Sequence, residues 1–225
     1  MKIGIIGAGN VGGALGTSWA KAGHQVKFGV RNPADPKHRA LLDSCGGNAT
    51  AGTTTEAVAF GETIALATPW DATQAALSDC GSLAGKVLID CTNPLQFTPA
   101  AGLELAMGHT VSGGETVAQW APGARVVKAF NTYGYENFAD ASYPKYGGLK
   151  PVMFLAGDDA SAKEIVSRLA ADIGFQPLDA GTLKIARLLE PTGMLWIHLA
   201  IVQKKGTGFT WAVMERVQAS PLPSK

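Results

Sequence analysis

The segment GAGNVG at positions 7–12 constrains this chain more than any other feature. It carries glycines at 7, 9 and 12, follows the apolar run KIGIIG (2–7) directly, and leads into the amphipathic stretch 11–23. A glycine triplet at this spacing, leaving a strand and opening a helix, is the dinucleotide-binding fingerprint of a βαβ unit. Gly7 permits the tight turn, Gly9 lets the backbone approach a pyrophosphate, and Gly12 lets helix and strand pack closely. The phosphates would face the first-turn amides, where the helix dipole favours an anion. The whole loop (Gly7, Ala8, Gly9, Asn10, Val11 and Gly12) is therefore expected to hold a cofactor.

The rest of the chain continues the alternation. Apolar runs at 25–30, 63–68, 86–91, 125–130 and 151–157 have the length and continuity of strands buried on both faces. Stretches at 33–46, 53–60, 70–81 and 159–174 read as helices, several of them ending at glycine. The expected fold class is α/β, a Rossmann-type doubly wound and mostly parallel sheet. FQPLDAG after residue 174 would add an edge strand. From about residue 181 the pattern becomes a long helical stretch (182–206), interrupted at Pro191 and Gly193, followed by FTWAVMERVQ (209–218). The expected organisation is a nucleotide-binding domain over 1–180 and a small helical part over 181–225, with SPLPSK as a frayed tail.

NAD sites place an acidic residue at the end of the second strand, where it binds the ribose 2′-hydroxyl. Here that position reads Gly29-Val30-Arg31-Asn32-Pro33, with no acid. Arg31 offers a planar, permanently charged group suited to a 2′-phosphate and to stacking on adenine, so NADP is the expected dinucleotide. Asn32 lies beside it, and Lys37 adds positive charge a few residues on. Thr68, Pro69 and Trp70 follow one strand, Asn93 another and Asn131 a third. All lie at carboxyl strand ends, where ligands bind in open α/β sheets. Asn93 would bond ribose or nicotinamide and Trp70 would pack on the cofactor, although either would also serve as a turn residue beside proline.

Composition narrows the function classes. Of 225 residues, 46% are hydrophobic, and nineteen Lys and Arg against eighteen Asp and Glu leave a net charge of +1. No broad surface for nucleic acid or anionic membrane is expected from that balance. The apolar stretch 194–202 is too short to span a bilayer. Three cysteines without CxxC spacing indicate neither a disulfide framework nor a zinc site, and a cytoplasmic location is expected. HExxH and GxSxG do not occur, and the four histidines are scattered, His198 falling in an apolar helix as a core or interface residue. No protein residue is assigned as an acid–base or nucleophilic catalyst and no metal is expected. That pattern suits hydride transfer between two bound redox molecules.

The segments IGIIGAGNVGGALG, FGVRNP, IDCTNPL, ARVVKAFNT and ARLLEP…MLWI together resemble the NADP-dependent coenzyme F420 oxidoreductase family, the deazaflavin reductases, whose fold also occurs in the cytosolic domain of STEAP metalloreductases. The resemblance runs from residue 3 to about 197. It implies NADP held at Gly7, Gly9, Asn10, Val11, Arg31 and Asn32, a homodimer, and a second cofactor, F420 or a flavin, between Asn131 and the segment 187–193. The chain departs from deazaflavin-using members at Val30 (a serine there), Asn131 (a histidine there), and Pro191 and Gly193 (hydroxyl side chains there). Apolar side chains at Trp196, Ile197, Leu199, Ile201 and Val202 would supply the dimer contact. A reductase of a small carbonyl or imine, and a non-catalytic NADP sensor, are the alternatives. Pyrroline-carboxylate and prephenate dehydrogenase-type architectures need a longer helical substrate domain than the residues after 180 provide.

Overall fold

Short apolar runs form most of the strands, and the computed structural model describes residues 1–100 and 102–216. In chain order the elements are β1 (Lys2–Ile6), α1 (Asn10–Lys21), β2 (Gln25–Gly29), α2 (Arg39–Ser44), β3 (Ala49–Gly52), α3 (Thr54–Phe60), β4 (Thr63–Leu66), α4 (Trp70–Ser78), β5 (Val87–Asp90), β6 (Leu95–Thr98), β7 (Gly102–Leu105), α5 (Gly113–Trp120), β8 (Arg125–Lys128), α6 (Glu136–Ala139), β9 (Val152–Gly157), α7 (Ala160–Asp172), β10 (Gln176–Gly181) and α8 (Ala186–Ile197).

Eight strands form one sheet in the order β10-β9-β8-β5-β4-β1-β2-β3, and β6 and β7 form a separate antiparallel hairpin. The six strands β3-β2-β1-β4-β5-β8 are all parallel and have the 3-2-1-4-5-6 order of a dinucleotide-binding sheet. β9 then runs antiparallel to β8, so the sheet is not parallel throughout, and β10 is parallel to β9. Alternate side chains face two cores. Ile3, Ile5 and Phe28 pack with Leu15 and Trp19 of α1 and with Val166 and Leu169 of α7. Ile6, Ile64, Leu66 and Leu88 pack with Val58 of α3, Leu77 of α4 and Val117 of α5. The Trp19 indole also donates to the Leu169 carbonyl (3.1 Å), tying α1 to α7.

Several expectations need correction. The stretch 33–46 is a 3₁₀ turn at Pro36–His38 followed by the short α2, because Asp35 turns its carboxylate onto the Lys37 amide and starts a new cap there. Pro191 and Gly193 do not interrupt the last helix. α8 passes through both and continues into a π-helical turn at His198–Val202. The continuous helical stretch Leu183–Val202 has 20 residues and a mean hydropathy of 1.3, so it is long and apolar enough to cross a membrane, unlike the shorter run read from sequence. In this fold, however, α8 lies against the domain, with Ala186, Leu189, Glu190, Gly193 and Trp196 buried. Residues 209–216 are not helical, and the Val152 amide donates to the Trp211 carbonyl beside β9. The expected tail SPLPSK and the last two residues of 209–218 lie outside the described residues.

Candidate functional site

The glycine turn shows which of its glycines the protein itself requires. Gly7 has φ +101°, and a Cβ there would stand 2.8 Å from the Ala67 carbonyl oxygen. A Cβ on Gly12 would collide with the Gly7 carbonyl oxygen. Gly9 differs: its φ is −77°, and an added Cβ would meet no protein atom within 4 Å. Packing and backbone conformation therefore do not demand glycine at position 9. The space above it is where a cofactor's phosphates would approach the first-turn amides of α1, so the turn fits a dinucleotide.

A cavity of about 850 Å³ opens beside this turn, over the carboxyl ends of the central strands. Of the expected residues, Gly9, Asn10, Val11, Thr68, Pro69, Trp70, Asn93 and Asn131 line it together. Gly7, Ala8 and Gly12 form the turn at its edge, while Arg31, Asn32 and Lys37 lie outside the cavity, beyond the end of β2. Arg31 is exposed and makes no ion pair among the described residues. Lys37 is held by Asp35 (2.8 Å), which makes it a weaker phosphate donor than its sequence position suggests. Asn32 uses its side-chain oxygen to accept from the Ala34 amide. Trp70 stacks on Trp120 with centroids 5.3 Å apart, so one face of its ring is spent on the protein.

Asn93 and Asn131 grip each other. The Asn93 Nδ2 donates to the Asn131 carbonyl (2.8 Å), and the Asn131 Nδ2 donates to Asn93 Oδ1 (3.0 Å) and to the Leu189 carbonyl of α8 (3.2 Å). Asn131 Oδ1 is buried without a partner. The residue before it, Phe130, is buried at φ +61°, a conformation that strains a bulky side chain. Gly193 sits where α8 meets this pair, since a Cβ there would lie 2.5 Å from the Asn131 carbonyl oxygen.

Beneath the cavity lies a charge cluster that the sequence reading missed. Lys128 Nζ donates to Asp90 Oδ2 (2.9 Å) and to the Thr92 carbonyl (2.5 Å), and it pairs with Glu190 Oε1 (2.9 Å). All three charged side chains are at most 1% exposed. Burial pushes the Lys128 ammonium down, but the Asp90 and Glu190 carboxylates outweigh it and raise it above the ordinary lysine range. Glu190 also accepts from the Gly113 and Gly114 amides at the start of α5 (both 2.9 Å), and Asp90 accepts from the Thr92 amide and hydroxyl. Arg187 forks onto Glu115 (2.7 and 2.8 Å), giving α8 another tie to α5. A signal was present: Asp90 and Lys128 are opposite charges inside apolar runs, and they are register partners on neighbouring strands.

The segments after Asn93 and Asn131 and the C-terminal helix supply the remaining walls, through Leu95, Gln96 and Phe97 of the β6–β7 hairpin, Tyr133 and Tyr135 after β8, and Trp196 and Ile197 of α8. Phe97 is 75% exposed at the cavity rim. Among the described residues no histidine lines the cavity and no cluster with metal-ligating composition occurs. His198 is exposed beside Gln203 rather than buried in a core. Cys91, on the wall, is a thiol pushed far above its ordinary pKa by burial, so it is no thiolate nucleophile.

Comparison with known proteins agrees with this geometry. Residues 2–94 match the family model described as NADP oxidoreductase, coenzyme F420-dependent. The metalloreductase STEAP3 of Rattus norvegicus is 33% identical over 189 residues, covering 84% of this chain. The chain spans only 36% of that protein's length. A crystal structure from an Arthrobacter species, designated an F420-dependent NADP reductase, superposes with a TM-score of 0.84 at 30% identity, covering 96% of this chain and all of that one. A hypothetical protein from Sinorhizobium meliloti gives 0.70 at 30% identity, covering 82% and 86%. A reductive aminase from Aspergillus terreus, at 21% identity and 0.61, over 87% of this chain and 59% of its own, shares the fold. From the glycine turn, the sheet order and these relatives, the chain belongs to the coenzyme F420-dependent NADP oxidoreductase family and is an NADP-dependent oxidoreductase.

Proposed function

We propose that the protein moves hydride directly between NADP(H) and a second planar redox cofactor, deazaflavin F420 or a flavin, bound in the same cavity. The carrying observation is the cavity itself. At about 850 Å³ it lies in the upper part of the range of about 300–1,000 Å³ for small-molecule sites, and it runs from the phosphate turn to α8. Its outer walls are Phe97 of the hairpin, Tyr133 and Trp196. Two of the polar side chains among these are committed elsewhere, Tyr133 donating to the Val152 carbonyl (2.9 Å) and Trp196 to the Phe209 carbonyl (2.8 Å). Tyr133 stacks on Phe175 and Trp196 on Phe209, and Tyr133 and Trp196 are themselves buried. Of the three, the exposed Phe97 ring is therefore the aromatic surface left for a planar partner, and the hydride carriers supply their own chemistry. Arg31 is assigned to the 2′-phosphate, Gly7 to Gly12 to the pyrophosphate, and Thr68 and Asn93 to the nicotinamide half.

Anaerobic oxidation of NADPH against F420, FMN, FAD, ferric chelates and quinones tests this reading. Fast reduction of F420 or a flavin is expected. Reduction confined to ferric chelates without flavin, or to a carbonyl or imine, would replace it.

The same reading includes a homodimer in a reducing compartment. Leu188, Leu195, Ile201 and Val202 are 51–63% exposed along one side of α8 and its π turn, and they favour an isologous contact there. Of the residues expected from sequence, Ile201 and Val202 belong to this patch, Ile197 and Leu199 are half-buried, and Trp196 is buried inside the domain. A monomer by sedimentation at micromolar concentration would remove the dimer. The three free, buried cysteines fit a reducing location.

A further inference from the structure

Tyr135 stands out once every polar group on the cavity wall is followed to its partner. Its neighbour Tyr133 spends its hydroxyl on the Val152 carbonyl, but the hydroxyl of Tyr135, a half-buried residue, meets no partner among the described residues. After Asn131 the chain crosses to α1, where Ser18 Oγ donates to the Phe138 carbonyl (2.8 Å) and holds α6 against the helix. The Phe138 amide in turn donates to the Tyr135 carbonyl (3.1 Å), which fixes the backbone of residue 135 at the start of α6. A second pocket, of about 380 Å³, runs along α1 on the far side. The two cavities share three lining residues: Gly9, Asn10 and Tyr135. Tyr135 is the one of the three that comes from outside the phosphate turn, so it stands between the two cavities beside that turn.

No lysine or arginine lines the main cavity, and the first turn of α1 carries no charged side chain. A pyrophosphate on this turn is met by backbone amides from below, and the side chains with a donor that line both cavities beside it are those of Asn10 and Tyr135. Resting on the NADP reading above, we infer that Tyr135 donates a hydrogen bond to the pyrophosphate of the bound dinucleotide and closes the phosphate site opposite the α1 amides. A neutral donor suits this place, because it bonds the anion without the desolvation cost of burying a cation.

Tyr135→Phe, which keeps the ring and its packing, isolates the hydroxyl. Affinities for NADPH, NADH, ADP and adenosine 2′-monophosphate are measured by fluorescence titration and competition, with the melting temperature as a control for folding. The expected result is a loss of about tenfold for NADPH, NADH and ADP alike, and none for adenosine 2′-monophosphate, which lacks the pyrophosphate. Equal affinities in variant and wild type overturn the assignment. So does a loss confined to NADPH and NADH with ADP unchanged, which would move the contact to the nicotinamide half. A wild type that fails to bind NADPH overturns the NADP reading itself, a result visible before any variant is made.

Discussion

Lys128→Met is the most severe test of how α8 is held over the site. The variant keeps the volume of an unbranched chain but deletes the ammonium that pairs with Asp90 and Glu190. Asp90 would retain the Thr92 amide and hydroxyl, and Glu190 the Gly113 and Gly114 amides, yet two buried carboxylates would face each other without a cation. Breaking a buried pair from one side costs about 3–5 kcal/mol. At about 2–4 °C per kcal/mol for a domain of this size, the midpoint should fall by roughly 10 °C. Sign follows from protonation. In the wild type the raised Lys128 pKa gives a stabilisation that holds below the unfolded lysine value and is lost as pH climbs through the higher folded one. A methionine has no such proton to lose, so the deficit of the variant narrows at alkaline pH. Urea melts followed by tryptophan fluorescence, run from neutral pH into the lysine titration range of about 10 and above, read both quantities. Lys128→Met/Glu190→Gln should recover part of the loss, since it removes one uncompensated charge. A deficit below about 1 kcal/mol, or one independent of pH, would refute the argument, because neither is compatible with charges buried and paired as described.

Three further outcomes are expected. Wild-type protein should bind NADPH at least about tenfold more tightly than NADH, and Arg31→Asp should erase or reverse that preference, since a carboxylate repels the 2′-phosphate; fluorescence titration decides it. Phe97→Ala should raise the acceptor KM about three- to tenfold with NADPH affinity unchanged, because an aromatic contact of about 0.5–1.5 kcal/mol is lost at the rim alone. Arg187→Met should flatten the acid limb of the stability profile: the Arg187 hydrogen bonds hold the Glu115 carboxyl below its ordinary range, so the stabilisation exists above the unfolded pKa of about 4.3 and is lost as pH falls through the folded one. Melting temperatures between pH 6 and 3 read that difference.

Much of the fold was legible because its signals are local. The strands at β1, β2, β4, β5, β8 and β9 are apolar runs, and glycines at positive φ follow α1, α4 and α7, at Gly23, Gly81 and Gly174. β3 was missed because ATAG is short, lies at the sheet edge and alternates too weakly to be told from a loop. α5 was missed although its start was written out: Ser112 and Glu115 form a capping box just ahead of Val117. Pro191 misled for the opposite reason. A proline in a helix usually marks a break, but α8 is tied to the domain through Arg187, the Leu189 carbonyl and Glu190, all within the turn before it.

The site divides along the same line, and the division has a physical cause. The dinucleotide half is built from residues close in sequence, a glycine turn and the end of the adjoining strand, so spacing alone carries the information. The second half is assembled from β5, the hairpin, the segment after β8 and α8, which meet only when the sheet is formed. What holds them is not a motif but a circuit: Asp90 to Lys128, Lys128 to Glu190, and, through Thr92 and Asn93, Asn131 back to Leu189 on the same helix. Each link joins elements at least thirty-odd residues apart except the turn from Asp90 to Asn93. Gly193 fits this circuit so closely that a tryptophan placed there would drive α8 off Asn131 rather than fill the slot. Steric blocking of the acceptor half is therefore better attempted from Phe97 at the rim, where space is open, than from the helix that forms the wall.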